Sequence, residues 1–262
     1  MLVATDAPVT ERTFVRKDEA HAQVPSIIIP APTLWCHWVK TVNDCFFATM
    51  LLILSIPVVL IAALLIKLTS KGPALFTQKR VGRNGRIYTI YKLRTMYDNC
   101  EKQSGPQWSR AGDPRITPLG RLLRRSHIDE LPQLWNVLKG EMSLVGPRPE
   151  RPEFVEVLMK DLPHYRERLR VRPGMTGLAQ VQLPPDTDLA SVRRKLACDL
   201  YYVQHVSLLL DLKVTLGTAF YLAGVPFTWT RAVFQMPSGE TIESSYRGMV
   251  PQNPRLPQWQ TV

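Results

Sequence analysis

The chain has 262 residues and carries 33 lysines and arginines against 22 acidic residues, a formal charge of +11 at pH 7. Its hydrophobic content of 45% is typical of a globular protein, so composition alone does not indicate a membrane protein. Four cysteines, Cys36, Cys45, Cys100 and Cys198, lack the paired spacing of a zinc site or a disulfide framework. Composition therefore excludes a disulfide-rich secreted domain and fits a reducing compartment.

Residues 1–32 form the first segment, which mixes charges with Pro25, Pro30 and Pro32 and shows no sustained hydrophobic period. A flexible N-terminal arm is expected here. Since four acidic residues occur before position 20, the start of the chain does not resemble a cleaved secretory signal.

An apolar run from Cys45 to Ile66 has no charge for 22 positions, about the length that a helix needs to cross a bilayer. Ser55 and Pro57 lie near its middle, where proline removes a backbone hydrogen bond and bends a helix. Two interpretations of residues 33–71 stay open at this point, namely a kinked spanning helix and a re-entrant helix that dips into the membrane and returns.

The flank after this run contains eight basic residues and no acidic one between Lys67 and Arg94. By the positive-inside rule, the flank and the C-terminal part of the chain should face the cytoplasm.

Residues 72–225 are expected to form a cytoplasmic domain that is mostly α-helical with a small β-hairpin. Asn84-Gly85 predicts the hairpin turn, because both residues accept the positive φ of a type I′ turn. Leu208–Leu222 is apolar on most of its surface, which favours an interfacial helix lying on the membrane. The loop 144–150 is expected to be rigid and irregular. Residues 226–262 are expected to form a C-terminal tail that is loosely ordered after Phe234.

Asp129 and Glu130 are the first candidates for chemistry. Adjacent acids at a helix start are most often capping residues, with Asp129 as the cap and Pro132 in the first turn. Arg124 and His127 crowd the same junction, and cations together with the positive helix end keep a carboxylate ionised. Such a carboxylate can attack phosphorus.

Phosphoryl transfer also needs positive charge near the non-bridging oxygens, from arginine or lysine and a divalent cation held by carboxylates. The candidate cations are Lys92, Arg94, Arg124 and Arg148. Arg148 is favoured because flanking prolines would hold its bidentate fork in one orientation.

Six motifs now identify a family resemblance, since they occur in the order found in bacterial sugar transferases, the monotopic phosphoglycosyl transferases. They are Lys79-Arg80-Val81-Gly82, Tyr91-Lys92-Leu93-Arg94-Thr95-Met96, Asp129-Glu130-Leu131-Pro132-Gln133-Leu134, Gly146-Pro147-Arg148-Pro149, Arg172-Pro173-Gly174-Met175-Thr176-Gly177 and Asp199-Leu200-Tyr201-Tyr202. The resemblance covers about residues 40–220.

The resemblance implies a bacterial inner-membrane enzyme with its catalytic domain on the cytoplasmic face, held by a re-entrant helix broken at Pro57 and by interfacial amphipathic helices. It implies that Asp129 is a nucleophile forming a covalent phosphosugar intermediate and that Glu130 helps to coordinate Mg²⁺. The expected substrates are a nucleotide sugar, such as UDP-glucose or UDP-galactose, and undecaprenyl phosphate, with UMP released in exopolysaccharide or related glycan synthesis.

The resemblance also matches Lys92, Arg124 and Arg148 to positions for phosphate handling or active-site integrity, and Asp199 and Tyr202 to a motif of open role. With Arg94, these residues form the predicted substrate and phosphate-binding set. Nucleic acid is not an expected partner, and the sequence does not indicate an oligomeric state.

Two positions depart from the family pattern. Relatives commonly have serine directly before the membrane proline, whereas here Ile56 precedes Pro57 and Ser55 stands one residue earlier. Many relatives also continue with Asn-Gly-Arg where this chain has the loop 182–187, and Arg193 or Arg194 could replace that arginine. A non-enzymatic alternative is a membrane-tethered scaffold that uses its basic patch on anionic lipid or nucleic acid, but it leaves Asp129 and Glu130 unexplained.

Overall fold

The computed structural model describes residues 34–100, 112–184 and 189–249, which are mostly helical with two small two-stranded sheets. The predicted N-terminal arm lies outside the described residues. The elements in chain order are α1 (Leu34–Thr69), β1 (Leu75–Val81), β2 (Ile87–Leu93), α2 (Pro118–Arg125), α3 (Leu134–Leu138), β3 (Ser143–Val145), α4 (Pro152–Asp161), β4 (Gly174–Thr176), α5 (Leu178–Gln182), α6 (Leu189–Gln204), α7 (Leu208–Leu222), α8 (Phe227–Phe234) and α9 (Gly239–Met249), with 3₁₀ helices at Arg83–Gly85, Ile128–Gln133 and Tyr165–Arg170.

Helix α1 contains the apolar run and stays helical through Pro57, so any bend at this proline is accommodated within the helix. The Ser55 hydroxyl donates a hydrogen bond of 2.9 Å to the Leu52 carbonyl. The carbonyl that loses its helical N–H partner is that of Ile53, four residues before the proline. Ser55 therefore bonds to the neighbouring carbonyl rather than to the one that Pro57 frees.

By length and composition, Trp38–Thr69 is the one helix among the described residues that could cross a membrane. Unlike the core helix of a soluble protein, it leaves large apolar side chains exposed, among them Leu54, Leu60 and Ile61. An apolar surface this extensive marks contact with a membrane or a partner.

Both halves of α1 also pack against the remaining domain. In the first half, Ala48 is fully buried in a cluster with Ile90 and Leu134. In the second half, Ile66 packs in a cluster with Leu93. The helix is therefore held by the same domain along most of its length.

The strands β1 and β2 form the predicted antiparallel hairpin, with Leu75 paired to Leu93 and Val81 to Ile87. Asn84 (φ 57°, ψ 24°) and Gly85 (φ 80°) both adopt the left-handed conformation, as the Asn-Gly pair predicted.

A second pairing joins β3 to β4 in parallel, so the expectation that the loop 144–150 is entirely irregular was wrong at Leu144 and Val145. Glycine permits the close approach, because a Cβ on Gly174 would lie 2.1 Å from the backbone nitrogen of Gly146. This contact joins the two Pro/Gly-rich motif loops.

The largest apolar cluster lies among α4, α5, α6, α7 and α9. Residues 227–234 of the C-terminal tail form α8. The structure differs from the loose order expected after Phe234, because 239–249 is the helix α9. Ile242 and Tyr246 of α9 are buried in the cluster. Because α9 also carries exposed polar residues, the composition of this segment did not indicate its apolar face.

Candidate active site

A cavity of about 540 Å³ lies between the β1–β2 hairpin, the 3₁₀ helix Ile128–Gln133 and the loop before α4. It brings together most of the site residues predicted from the sequence, which are Lys92, Arg94, Arg124, Asp129, Glu130 and Arg148. Asp199 and Tyr202 do not line it.

Local sequence explains where the carboxylate pair lies. Thr117 caps α2, accepting a 2.9 Å hydrogen bond from the Gly120 backbone N–H, and α2 ends at Arg125. His127 then takes a left-handed conformation (φ 55°) that turns the chain into the 3₁₀ helix. The N-cap of this helix is His127 and Asp129 lies in the first turn, so the interpretation of Asp129 as the cap was wrong.

Asp129 is buried, with 6% of its surface exposed, and its Oδ1 atom accepts no hydrogen bond from the described residues. Burial, followed by the neighbouring charge of Glu130, raises the pKa of Asp129 to about 6 against the opposing effects of Lys92 and Arg124. The neighbouring cations in the sequence had predicted that the Asp129 carboxylate would ionise easily. The structure instead holds a carboxylate that is ionised at neutral pH yet poorly solvated, which is a reactive state for an oxygen nucleophile.

Glu130 has the opposite environment. Its Oε1 atom accepts from Lys92 Nζ and from Arg148 Nη2, both at 2.7 Å. Burial acts to raise the pKa of Glu130, but the charges of Arg148 and Lys92 hold it below its ordinary value. Glu130 is therefore a fixed anion that orients two cations at the cavity wall.

Arg124 and Arg94 have different surroundings, although both line the cavity. Arg124 Nε donates to Thr95 Oγ1 at 2.8 Å, and burial lowers the Arg124 pKa while the charge of Asp129 raises it. Arg94 Nη2 donates to the Ser70 carbonyl at 2.9 Å and to Ser70 Oγ at 2.8 Å. Arg94 thus ties the end of α1 to β2, and a role toward phosphate stays a prediction.

Arg148 is positioned from behind by a residue that the sequence did not single out. Arg168, 3% exposed, donates to the Arg148 carbonyl oxygen through Nη2 at 2.8 Å. The same guanidinium pairs with Asp199 Oδ2 at 2.7 Å and donates to the Tyr165 hydroxyl at 2.8 Å. Asp199 therefore does not reach the cavity itself but contacts Arg168, which holds the backbone of the cavity-lining Arg148.

Tyr202 belongs to a separate network at the base of α1. Its hydroxyl has two acceptors within hydrogen-bond distance of its single proton, Asp211 Oδ1 at 2.7 Å and Val145 O at 3.0 Å. Asp211 in turn pairs with Lys40 of α1 at 2.6 Å. The structure thus connects Tyr202 to the membrane helix rather than to the cavity.

Asn136 was also missed and is fully buried in α3. Its side chain donates to Thr89 O at 2.7 Å and accepts from the backbone N–H of Tyr91 at 3.2 Å, next to Lys92. A buried asparagine within the apolar pattern after Asp129 was the available sequence signal, since buried amides require partners.

The loop 182–187 lies partly outside the described residues, and its described part does not line the cavity. Arg193, a suggested substitute for the family arginine, stacks on Tyr246 with 5.4 Å from its guanidinium carbon to the ring centroid. Neither Arg193 nor Arg194 lines the cavity.

A poorly solvated carboxylate beside a fixed anion and several cations is the arrangement of a phosphoryl-transfer site. The chain matches the bacterial sugar transferase family over residues 35–224 and belongs to that family. Helices α8 and α9 lie beyond the matched region.

Individual relatives agree with this assignment. The chain is 41% identical over 204 residues to the UDP-N-acetylgalactosamine-undecaprenyl-phosphate N-acetylgalactosaminephosphotransferase of Aeromonas hydrophila, covering 78% of this chain and 48% of that protein. It is 46% identical over 193 residues to the UDP-glucose:undecaprenyl-phosphate glucose-1-phosphate transferase of Caulobacter vibrioides, covering 72% of this chain and 71% of that one. It is 44% identical over 184 residues to the exopolysaccharide production protein PSS of Rhizobium leguminosarum, covering 68% and 92%.

Proposed function

We propose that this transferase moves a hexose 1-phosphate from a UDP-sugar to undecaprenyl phosphate through a phosphosugar covalently bound to Asp129, as the first membrane step of exopolysaccharide or related glycan synthesis. The observation that carries the proposal is the buried Asp129, which lines a cation-lined cavity and whose Oδ1 accepts no hydrogen bond from the described residues. Two of the relatives above are named for glucose and N-acetylgalactosamine, so the family name leaves the sugar open.

The proposed chemistry has two balanced half-reactions. An Asp129 oxygen attacks the phosphorus that bears the sugar, and the bond from that phosphorus to the bridging oxygen breaks to release UMP. A phosphate oxygen of the lipid then attacks the same phosphorus, and the bond to Asp129 breaks to regenerate the carboxylate and leave a lipid diphosphate sugar.

Lys92, Arg124 and Arg148 have the roles that their contacts support. Lys92 and Arg148 converge on Glu130 at 2.7 Å, so their charges are held at the cavity wall before substrate binds. Arg124 contributes an electrostatic interaction that favours ionised Asp129. Preorganised cations of this kind stabilise the charge on the equatorial oxygens in the transition state.

The residues present fit a Mg²⁺ ion. Mg²⁺ is usually held by one or two carboxylates together with substrate phosphates and water, so a dedicated cage is not needed. Asp129 Oδ1 is unpartnered among the described residues, and Glu130 Oε2 lies 3.5 Å from Arg148 Nη1, a contact that leaves lone pairs available. When bound, the ion would supply Lewis-acid stabilisation of the diphosphate.

The membrane arrangement we propose is monotopic and re-entrant, with Pro57 as the point of bending and the catalytic domain on the cytoplasmic face. Lys40 near one end of α1 pairs with Asp211, and Ser70 at the other end binds Arg94. A straight helix over this length is about 45 Å long and the hydrocarbon core about 30 Å thick. If the helix spanned the bilayer, the Lys40–Asp211 and Ser70–Arg94 contacts would lie on opposite sides of the membrane. One polar domain could not make both contacts.

Protease protection in spheroplasts tests this topology. Tags at both ends should be protected until the membrane is permeabilised, because both flanks lie in the cytoplasm. Cleavage of the N-terminal tag in intact spheroplasts would contradict the re-entrant arrangement.

The nucleotide product tests the reaction. Purified full-length protein is incubated with a panel of UDP-sugars, Mg²⁺ and undecaprenyl phosphate, and the released nucleotide is identified. We expect UMP with the preferred donor and none with Asp129→Asn. Release of UDP would mean transfer of the sugar alone and would contradict the proposal.

A further inference from the structure

Exposed aromatic side chains lie at the mouth of the cavity, where the phosphates and the sugar of the donor do not require them. Phe76 and Tyr97 both line the cavity, and they are 43% and 51% exposed. A UDP-sugar brings phosphates, hydroxyls and a polar base to the site. Exposed aromatic surface can bind an apolar ligand or stack on the uracil ring, and its position beside α1 favours the apolar ligand.

Phe76 lies beside the reacting groups. It is the register partner of Lys92 across the β1–β2 hairpin, so the two side chains project from the same face of the sheet. Lys92 in turn holds Glu130 at 2.7 Å. A ligand whose phosphate lies between Lys92 and Asp129 would therefore pass its next carbons over Phe76.

The same mouth adjoins the membrane helix. Arg94 lines the cavity, and its guanidinium binds Ser70 and the Lys71 carbonyl at the end of α1. Leu68, immediately before this point, is 73% exposed. The apolar surface of α1 thus ends at the rim of the cavity, next to the start of β1.

The opposite end of the cavity carries the cations Arg80 and Arg151, with Phe154 beside Arg151. Arg80 lies four residues along β1 from Phe76, about 13 Å away, and also lines the cavity. Its guanidinium donates to Pro149 O at 2.9 Å. The aromatic side chains Phe76 and Tyr97 therefore lie at the α1 end of the cavity, together with the charged Arg94 and Asp98, whereas Arg80 lies toward the other end.

We propose that Phe76 and Tyr97 bind the first isoprene units of the acceptor lipid, whose phosphate enters the cavity from the end of α1. The inference rests on the proposed function and adds where the acceptor chain lies. The donor and the acceptor then approach Asp129 from different ends, which suits a reaction in which they react in turn.

Measurement of the two half-reactions separately tests this assignment. Release of UMP without acceptor reports the donor step, and decay of the phosphosugar enzyme on addition of geranyl phosphate reports the acceptor step. Geranyl phosphate is short and soluble, so partition into a bilayer does not obscure its binding. The variants are Phe76→Ser and Tyr97→Ser in the full chain.

Leu75→Ser is the matched control, because Leu75 is 44% exposed on the same strand but does not line the cavity. We expect Phe76→Ser to raise the half-saturating concentration of geranyl phosphate about tenfold more than that of the donor, with Leu75→Ser within about twofold of wild type. Tyr97→Ser should act in the same direction.

Three results would overturn the inference. They are equal effects of Phe76→Ser on both half-reactions, which would mean that the mouth binds the nucleotide, no effect on either, and an equal effect of Leu75→Ser. A wild-type chain that releases no UMP from any UDP-sugar would contradict the proposed function itself, so the two failures are distinguishable.

Discussion

Two buried clusters of charged residues lie on the two sides of the loop that carries Arg148. They differ in whether hydrogen bonds satisfy their carboxylates. Behind the loop, Arg168 and Asp199 satisfy each other at 2.7 Å, with 2% and 3% of their side chains exposed. In front of it, Asp129 keeps an oxygen without a hydrogen bond from the described residues. The first cluster is closed on itself, and the second is incomplete without a ligand.

The difference separates structural from reactive charge. A buried ion pair with all its partners fixes geometry, whereas an unsatisfied buried carboxylate costs stability and is retained where chemistry uses it. Arg148 joins the two, since its carbonyl contacts Arg168 and its side chain contacts Glu130.

The largest expected effect comes from removing the unsatisfied carboxylate. Asp129→Asn keeps the shape of the side chain but cannot form an acyl phosphate by the same route, so UMP release should fall by about 10⁴-fold or more. A steady-state assay with the preferred UDP-sugar measures it. Activity within tenfold of wild type would show that Asp129 is not the reactive carboxylate.

The fixed anion should have the next largest effect. Glu130→Gln keeps the volume but removes the charge that holds Lys92 and Arg148, so kcat should fall by about 10²- to 10³-fold. A Mg²⁺ titration of the variant reports whether the required metal concentration also rises. Glu156→Gln, at an exposed position of α4 that does not line the cavity, is the control and should retain activity.

Stability provides a separate test of the same contrast. The folded pKa of Asp129 is about 6 and its ordinary value is 3.8, so the folded state disfavours the charged form. The resulting cost is absent below pH 4, grows between pH 4 and 6, and is full above it. Asp129→Asn should therefore stabilise the fold by roughly 1–3 kcal/mol at pH 7.5 and by little at pH 4.

Thermal unfolding in detergent at the two pH values measures this difference. An equal change at both pH values would show that burial of charge is not its cause.

The closed cluster should have the smallest catalytic effect. Arg168→Lys keeps the charge near Asp199 but loses the Nη2 hydrogen bond to the Arg148 carbonyl, so kcat should fall by about tenfold with KM for the donor less affected. A purely structural role would lower the amount of folded protein without changing kcat per active site, as counted by covalent labelling.

The sequence predicted the parts of the molecule that depend on local signals. Asn84-Gly85 specified the hairpin turn, and α7 has the predicted bounds of Leu208–Leu222. The pairing of β3 with β4 was missed because it joins segments some 30 residues apart through backbone contacts at glycines. Local periodicity does not record contacts of this kind.

The same limit applies within the site. The motifs predicted a set of site residues that do line one cavity, namely Asp129, Glu130, Lys92, Arg124 and Arg148. Arg168 was missed because nothing in its neighbourhood distinguishes it from the many other arginines, and only the fold brings it to the Arg148 carbonyl. The high pKa of Asp129 also depends on burial, which the local charge pattern did not predict.

The central claim is that Asp129 carries the phosphosugar. Full-length protein is mixed with the preferred UDP-sugar and Mg²⁺ without acceptor, quenched in acid, and its peptides analysed by mass spectrometry. We expect a hexose phosphate adduct on Asp129 that disappears when undecaprenyl phosphate is added before the quench. An adduct on another residue, or lipid-linked product formed with no adduct at any time point, would contradict it.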